Sequence, residues 1–283
     1  MFGFLNIYKP NGITSHDVVA VLRRITKIKQ IGHTGTLDPF AEGVLPVCMG
    51  KATRLIEYLK DDKAYIGTIQ FGKSTTTYDI EGEAVNFSDK QILLHEVKNC
   101  LHSFEGEIEQ IPPVYSAIKV KGKKLYEYAR TGENIEVPKR KVLIDKINVL
   151  NFDTEKQQAE IYISCSKGTY IRSIANDLGE KLGVYGHLIK LVRVKAGNFN
   201  IDNAITLENI KTIDDVAKNL IYPTEYLNYP KYSISDSEKN LIINGAKINI
   251  NAPDGICILI FFGKIISVGE CNDKIFIPKK VFI

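Results

Sequence analysis

The stretch Gly32-His33-Thr34-Gly35-Thr36-Leu37-Asp38-Pro39, continuing as Phe40-Ala41-Glu42-Gly43-Val44-Leu45-Pro46, constrains this chain more than any other. Its three glycines and two prolines exclude a regular helix and an unbroken strand, so it reads as a loop. Asp38 sits directly before Pro39, and proline disfavours the α region for the residue preceding it. Asp38 is therefore expected to be held extended. A carboxylate on a stiff loop can be a nucleophile, a general base or only a turn former, because Asp-Pro is a common turn dipeptide. Spacing alone favours the turn, and the rest of the chain has to decide.

The chain has 283 residues, 44% apolar and 25% charged, the profile of an ordinary globular protein with room for one large domain and one small one. A net charge of +4 does not by itself announce a nucleic-acid binder. Cysteines 48, 100, 165, 257 and 271 make no Cys-x-x-Cys pair, which suggests reduced thiols and a cytoplasmic location. His95, Cys100 and His102 match no zinc spacing and read as structural. Met1 to Pro10 is too short for a signal peptide, and no apolar run reaches the roughly 18 residues of a membrane span. Gly43, Gly50 and Lys51 invite a phosphate-loop reading, but the spacing is wrong and Ala52 stands where Ser or Thr is needed.

Local patterns supply the elements. Phe2 to Tyr8 is a short apolar strand. Thr14 with Asp17 predicts a helix start, followed by Val18, Val21, Leu22 and Ile25 at helical spacing. A further helix is expected over 52–60 and a strand over Lys63–Phe71. Gly72 to Gly82, with Thr75, Thr76, Thr77 and Asp79, reads as a polar loop. Ser88 with Gln91 suggests a capping box opening a helix to Phe104. Val142–Phe152 and Ala159–Ser166 form a predicted strand pair. Lys167 to Arg172 then leads into a helix with Ile171, Ile174, Ala175, Leu178 and Leu182 on its apolar side, so Tyr170 and Arg172 lie at a strand-to-helix junction. A strand over Leu188–Val194 and a helix over 206–219 follow. Residues 223–230 read as a linker between a domain at 1–222 and a second at 231–283, whose short strands and Gly turns suggest a small barrel. That second unit is marginal for an independent core and should dock on the first.

Positive charge is concentrated in one place. Over 119–146, nine Lys and Arg stand against four acids, a local net of +5, with Tyr115, Tyr126 and Tyr128 close by. Clustered cations with aromatics are the footprint of a surface that tracks an RNA backbone; the alternative is a solvated basic helix.

Several motifs then converge. Lys9-Pro10-x-Gly12-x-Thr14-Ser15, Gly32-His33-x-Gly35-x-Leu37-Asp38-Pro39, Tyr65 at a strand start, Ile111-Pro112-Pro113-x-Tyr115-Ser116-Ala117-x-Lys119, Ser166-Lys167-Gly168-Thr169-Tyr170-Ile171-Arg172 and Leu191-x-Arg193 occur in order. Together they resemble the bacterial tRNA pseudouridine-55 synthases of the TruB family, and 231–283 more weakly resembles the PUA RNA-binding domain of such enzymes. The resemblance implies an α+β fold on a long, mostly antiparallel sheet, with a thumb-like insertion near 104–146 resting on the T arm of tRNA. It implies isomerisation of one uridine to pseudouridine with neither metal nor organic cofactor.

The resemblance also suggests roles. Asp38 would be the nucleophile, attacking the base or the sugar or assisting glycal formation, and Arg172 the cation that keeps it ionised. Tyr65 would stack on the flipped uracil and Tyr170 would serve the C5 proton transfer. His33 resembles the residue that fills the gap left by the flipped nucleotide. Lys9 would support the loop within the substrate site, and Leu191 would pack on the base. Lys119, Lys121, Lys123 and Lys124 would meet phosphates. Two rivals remain: a guide-RNA-dependent pseudouridine synthase, and a tRNA-binding folding chaperone in which Asp38 is incidental. No large apolar face is left unassigned, so a monomer is expected.

Overall fold

A computed structural model describes residues 1–116, 118–131, 133 and 135–282, with the backbone alone at residue 130. Ala117 of the motifs above, and the Arg130 side chain counted in the basic segment, lie outside the described residues. Strand β1 (Gly3–Lys9) leads through a turn to helix α1 (Ser15–Thr26), then β2 (Ile31–His33), the Asp38 loop and β3 (Glu42–Met49). A 3-10 helix over Gly50–Tyr58 connects to β4 (Lys63–Phe71) and the hairpin β5 (Lys73–Thr75) and β6 (Ala84–Phe87). Next come α2 (Leu94–Leu101), β7 (Gly106–Gln110), the two-residue strands β8 (Lys119–Val120) and β9 (Lys123–Lys124), and α3 (Leu125–Thr131). Then follow β10 (Arg140–Asp153), β11 (Gln158–Cys165), α4 (Ile171–Leu182), β12 (Gly186–Ala196), β13 (Phe199–Asn200), β14 (Ile205–Thr206) and α5 (Ile213–Lys218). The chain ends with β15 (Lys231–Ser233), α6 (Asp236–Ile243), β16 (Ile248–Asn249), β17 (Gly255–Phe261), β18 (Lys264–Asn272) and β19 (Ile275–Val281).

The fold is α+β, on a mostly antiparallel sheet ordered β14-β1-β3-β12-β4-β11-β10-β7, as the resemblance implied. One row across this sheet positions the site. Lys9 is opposite Gly43, Gly43 opposite Arg193, Arg193 opposite Tyr65, and Tyr65 opposite Ile163. Directly paired residues project to the same face, so Lys9, Arg193 and Tyr65 share a side. Gly43 is obligatory in that row. Its φ is +101°, and a Cβ there would lie 2.3 Å from the Arg193 carbonyl oxygen.

Locally encoded elements match their sequence signals. Thr14 caps α1 reciprocally with Asp17, an arrangement that contributes about 1 kcal/mol. Leu178 and Ile174 of α4 are fully buried against the sheet. Three expected helices differ. The one expected over 88–104 begins only at Leu94, because Gln157 holds Ile92 through both its backbone groups, at 2.8 and 3.2 Å, and keeps that stretch extended. The Glu96 carboxylate accepts from the Leu93 N–H, so the capping acid is Glu96 and not Gln91. The helix over 52–60 is a 3-10 helix, and that over 206–219 shrinks to α5, since Ile205 and Thr206 pair with β1 instead.

The C-terminal strands form a second, curled sheet ordered β15-β17-β18-β19-β16. It docks: Ile258, Ile265, Val268 and Phe282 share one buried cluster with Phe4, Val44, Leu55 and Phe199. The connecting segment is itself packed. Ile221 exchanges both backbone hydrogen bonds with Phe4 at 2.8 Å, and Leu227 is buried. Among the described residues, no helix is long and apolar enough to cross a membrane.

Candidate active site

The Asp38 loop is fixed carbonyl by carbonyl. Arg193, a buried cation, donates to the Gly35 carbonyl at 3.0 Å, to Thr36 at 3.4 Å and to Val44 at 2.7 Å. Buried Ser15, at the start of α1, donates to the Leu37 carbonyl at 3.2 Å and accepts from the Leu37 N–H at 2.8 Å. The Asp38 carbonyl accepts from Ala41 at 3.1 Å, and the Pro39 carbonyl from Gly12 at 3.0 Å and Lys9 Nζ at 3.1 Å. Five consecutive carbonyls, 35 to 39, are thus each held. A loop satisfied in this way keeps its carboxylate in one place, which is what preorganised chemistry requires.

Asp38 opens on a cleft of about 270 Å³, together with Tyr65, Tyr170, Arg172 and Leu191. Its Oδ2 lies 3.0 Å from Arg172 Nε. That N–H does not align as a hydrogen bond, so the contact is an ion pair in van der Waals reach. The rest of the guanidinium is tied down. Nη1 reaches Asp79 Oδ2 at 3.1 Å and the Thr77 carbonyl at 3.2 Å, and Nη2 the Tyr115 carbonyl at 3.1 Å. Burial pushes the Asp38 carboxyl above the usual carboxylate range, Arg172 pulls it back, and Asp79 adds to the rise. Two acids therefore share one buried cation, and the one facing the cleft is the less well paired.

The structure places the remaining expected residues as follows. Tyr65 and Leu191 are buried with one side on the cleft, and Tyr170 is half-buried beside them. Burial raises the phenols of Tyr65 and Tyr170 above the ordinary tyrosine value. His33 is half-buried next to Thr34 at the cleft's edge without lining it; burial and Arg193 lower its pKa. Lys9 lies beneath the loop and does not line the cleft. It is fully buried, and its Nζ donates to the carbonyls of Pro10, Ile13 and Pro39 at 2.9, 2.6 and 3.1 Å, so it can act only through the loop.

Of the four lysines, Lys119 and Lys121 are exposed. Lys123 pairs with Glu133 at 2.8 Å and lies over the Tyr128 ring, and Lys124 lies over Tyr126. The basic segment is no solvated helix at this point but a hairpin turning at Lys121-Gly122, both at positive φ.

Five participants are not apparent from the sequence. Asp79, which reads only as part of a polar loop, is buried and shares Arg172. Arg193 stands in a motif that assigns it no role. Lys63 and Lys167 line the cleft. Gln110 is buried and grips the backbone of Tyr170 from both sides, donating Nε2–H to its carbonyl at 3.0 Å and accepting its N–H at 2.8 Å. The available signals were the Thr-rich run ahead of Asp79 and the Gln-x-Pro-Pro spacing. Among the described residues no three His, Cys, Asp or Glu side chains converge as a metal site.

With this geometry in hand, comparison with known proteins is decisive. A family model described as the TruB family pseudouridylate synthase N-terminal domain matches residues 23–171, and one described as the tRNA pseudouridylate synthase B C-terminal domain matches 172–228. The chain belongs to the TruB family. It is 49% identical over 259 residues to tRNA pseudouridine synthase B of Staphylococcus haemolyticus (strain JCSC1435), covering 87% of this chain and 85% of that one. It is 47% identical over 269 residues to the protein of the same name from Staphylococcus aureus (strain MRSA252), covering 89% and 87%. Among solved structures, the chain is similar to one in a Cbf5-Nop10-Gar1 complex, with a TM-score of 0.74 at 25% identity, covering all of this chain and 85% of that one. A chain of an H/ACA RNP bound to a substrate RNA containing 2'-deoxyuridine shares the fold at a TM-score of 0.73 and 23% identity, again over all of this chain and 85% of that one. The second family model stops at residue 228, so the curled C-terminal sheet of this TruB-family chain lies beyond both.

Proposed function

We propose that this TruB-family protein isomerises uridine-55 in the T loop of tRNA to pseudouridine, acting alone as a cytoplasmic monomer. The observation that carries the reading is Asp38, immobilised through its loop and facing a base-sized cleft with Arg172 at 3.0 Å. The relatives near 48% identity, named tRNA pseudouridine synthase B, support the stand-alone enzyme over the guide-dependent particle, whose chains share chiefly the fold.

In the reaction the N1–C1′ bond breaks, the uracil turns, and a C5–C1′ bond forms. C5 loses its proton and N1 gains one, so the product is an isomer and no redox partner is needed. Cleaving a glycosidic bond in this way calls for covalent help, which Asp38 supplies as nucleophile while Arg172 holds it ionised. The target base must first leave the stack. Tyr65 receives it by stacking and Leu191 packs on it, with His33 at the edge occupying the vacated space. Tyr170 enters as a neutral hydroxyl, because burial raises its phenol; it takes the C5 proton only by passing its own on. The 119–124 hairpin meets phosphates of the T arm.

The test is tritium release from tRNA carrying C5-labelled uridine. Wild type releases label, and Asp38→Asn retains tRNA affinity within a few-fold but releases none. Release by Asp38→Asn sinks the nucleophile; binding without release by the wild type leaves a tRNA chaperone.

A further inference from the structure

We infer that Gln110 is a positioning residue for the isomerisation: it locks the base of the 111–139 segment onto the backbone of Tyr170, and so orients both Tyr170 and Arg172 in the cleft. The inference rests on the functional reading above.

The geometry is that of a side chain standing in for a strand. The carboxamide of Gln110 is buried and makes a two-way pair with the Tyr170 peptide groups, at 2.8 and 3.0 Å, across sixty residues of sequence. Tyr170 is the N-cap of α4, and its own side chain makes no capping bond, so this pair is what fixes the helix start from outside. Two more ties run in parallel. Ser173 Oγ donates to the Ile111 carbonyl at 2.8 Å, and Arg172 Nη2 to the Tyr115 carbonyl at 3.1 Å. The root of the segment that carries the lysine hairpin is therefore sewn to three positions around the catalytic arginine. Gln110 closes the last β7–β10 pair, opposite Arg140, and so has a rigid sheet behind it. Of the three ties, only that of Gln110 bears directly on Tyr170. A small rotation at Tyr170 is carried by the helix to Arg172, whose Nε is near Asp38 but not aligned with it.

Two substitutions test this in the full-length protein, using a T-arm RNA hairpin with C5-tritiated uridine. Gln110→Met keeps the volume and removes both bonds. The expected result is a single-turnover rate lower by about tenfold or more, as for misplaced reacting groups, with the Kd for the hairpin within about twofold. Gln110→Glu keeps the acceptor for the Tyr170 N–H but, when ionised, faces the Tyr170 carbonyl without a donor; protonation restores the donor. Its rate relative to wild type should therefore rise as the pH is lowered. A merely structural role would lower the melting temperature of both variants and leave that ratio flat. A flat ratio, a wild-type rate for Gln110→Met, or a loss confined to Kd overturns the inference. If Gln110→Met does not fold, the Gln110→Glu ratio, measured below its melting temperature, decides alone. Absence of release by the wild type in the same assay strikes the functional reading and is told apart by that control.

Discussion

Arg172 Nε stands 3.0 Å from Asp38 Oδ2 although 134 residues of chain separate the two, and the same guanidinium contacts buried Asp79 at 3.1 Å. Asp38 is the exposed member: its side chain is 35% accessible against 3% for Asp79. One cation thus serves a buried acid and one that faces the cleft, and the acid on the cleft remains above its ordinary pKa.

Removing the cation should act on both acids. In Arg172→Met the Asp38 pKa rises further, so protonated, inactive Asp38 persists to higher pH and the acid limb of the single-turnover profile moves toward higher pH. Asp79 is left buried without a cation, which costs on the order of 3–5 kcal/mol of stability. Arg172→Lys should recover only part of either effect, because one ammonium cannot reproduce the fork reaching Asp38, Asp79, Thr77 and Tyr115. An Arg172→Met profile with the wild-type acid limb would show that Asp38 is held ionised by another group.

Gly43→Ala should strike the loop from below. The added Cβ meets the Arg193 carbonyl oxygen at 2.3 Å on a backbone with φ +101°. Strain at such a position costs about 1–3 kcal/mol before any separation of β3 from β12. A chain of this size should lose about 2–4 °C of Tm per kcal/mol. An unchanged Tm would mean that the two strands can part without cost.

Lys9 should make stability depend on pH in an unusual direction. Burial lowers its pKa from 10.5 to about 8, with Asp38 the leading opposing influence. Between those values the unfolded chain binds a proton that the folded one does not, so stability rises with pH across about 8 to 10.5. The difference in unfolding free energy between wild type and Lys9→Met should grow by on the order of 2–3 kcal/mol across that window. Urea unfolding at several pH values measures it; a difference that shrinks with pH reverses the sign and refutes the assignment.

The lysine hairpin should divide in two. Lys119→Gln with Lys121→Gln should flatten the salt dependence of tRNA binding by roughly 0.7–0.9 in the log–log slope for each phosphate that is no longer neutralised. Lys123→Gln with Lys124→Gln should change the slope less, because Lys123 already pairs with Glu133 and both cations lie on tyrosine rings. Equal slopes for wild type and the first pair would mean that Lys119 and Lys121 never meet phosphate.

Whatever depends on near neighbours was legible in the chain before folding. Thr14 and Asp17 are three residues apart, and their reciprocal cap specifies where α1 begins. Alternation through Lys63–Phe71 specified β4, with Tyr65 on its buried side, and the period of Ile171, Ile174, Leu178 and Leu182 specified α4. The glycines and prolines of 32–46 specified a stiff loop with Asp38 on it, which holds over 34–41 only, because 32–33 and 42–46 pair across the sheet in β2 and β3; the spaced motifs specified the family. Where a distant partner competes with a local signal, the distant partner prevailed: Gln157 holds Ile92 extended across 65 residues and cancels the start at Ser88. The same reason hid Asp79, Arg193 and Gln110. Each is a common polar residue whose meaning lies in a partner 93, 158 or 60 positions away, and no periodicity spans such distances. Folding in three dimensions is what brings Arg172 onto Asp38 and Asp79, and the Gln110 carboxamide onto the backbone of Tyr170, in and around a largely buried cleft. There low polarity makes each unpaired group costly, and so fixes which of them must pair.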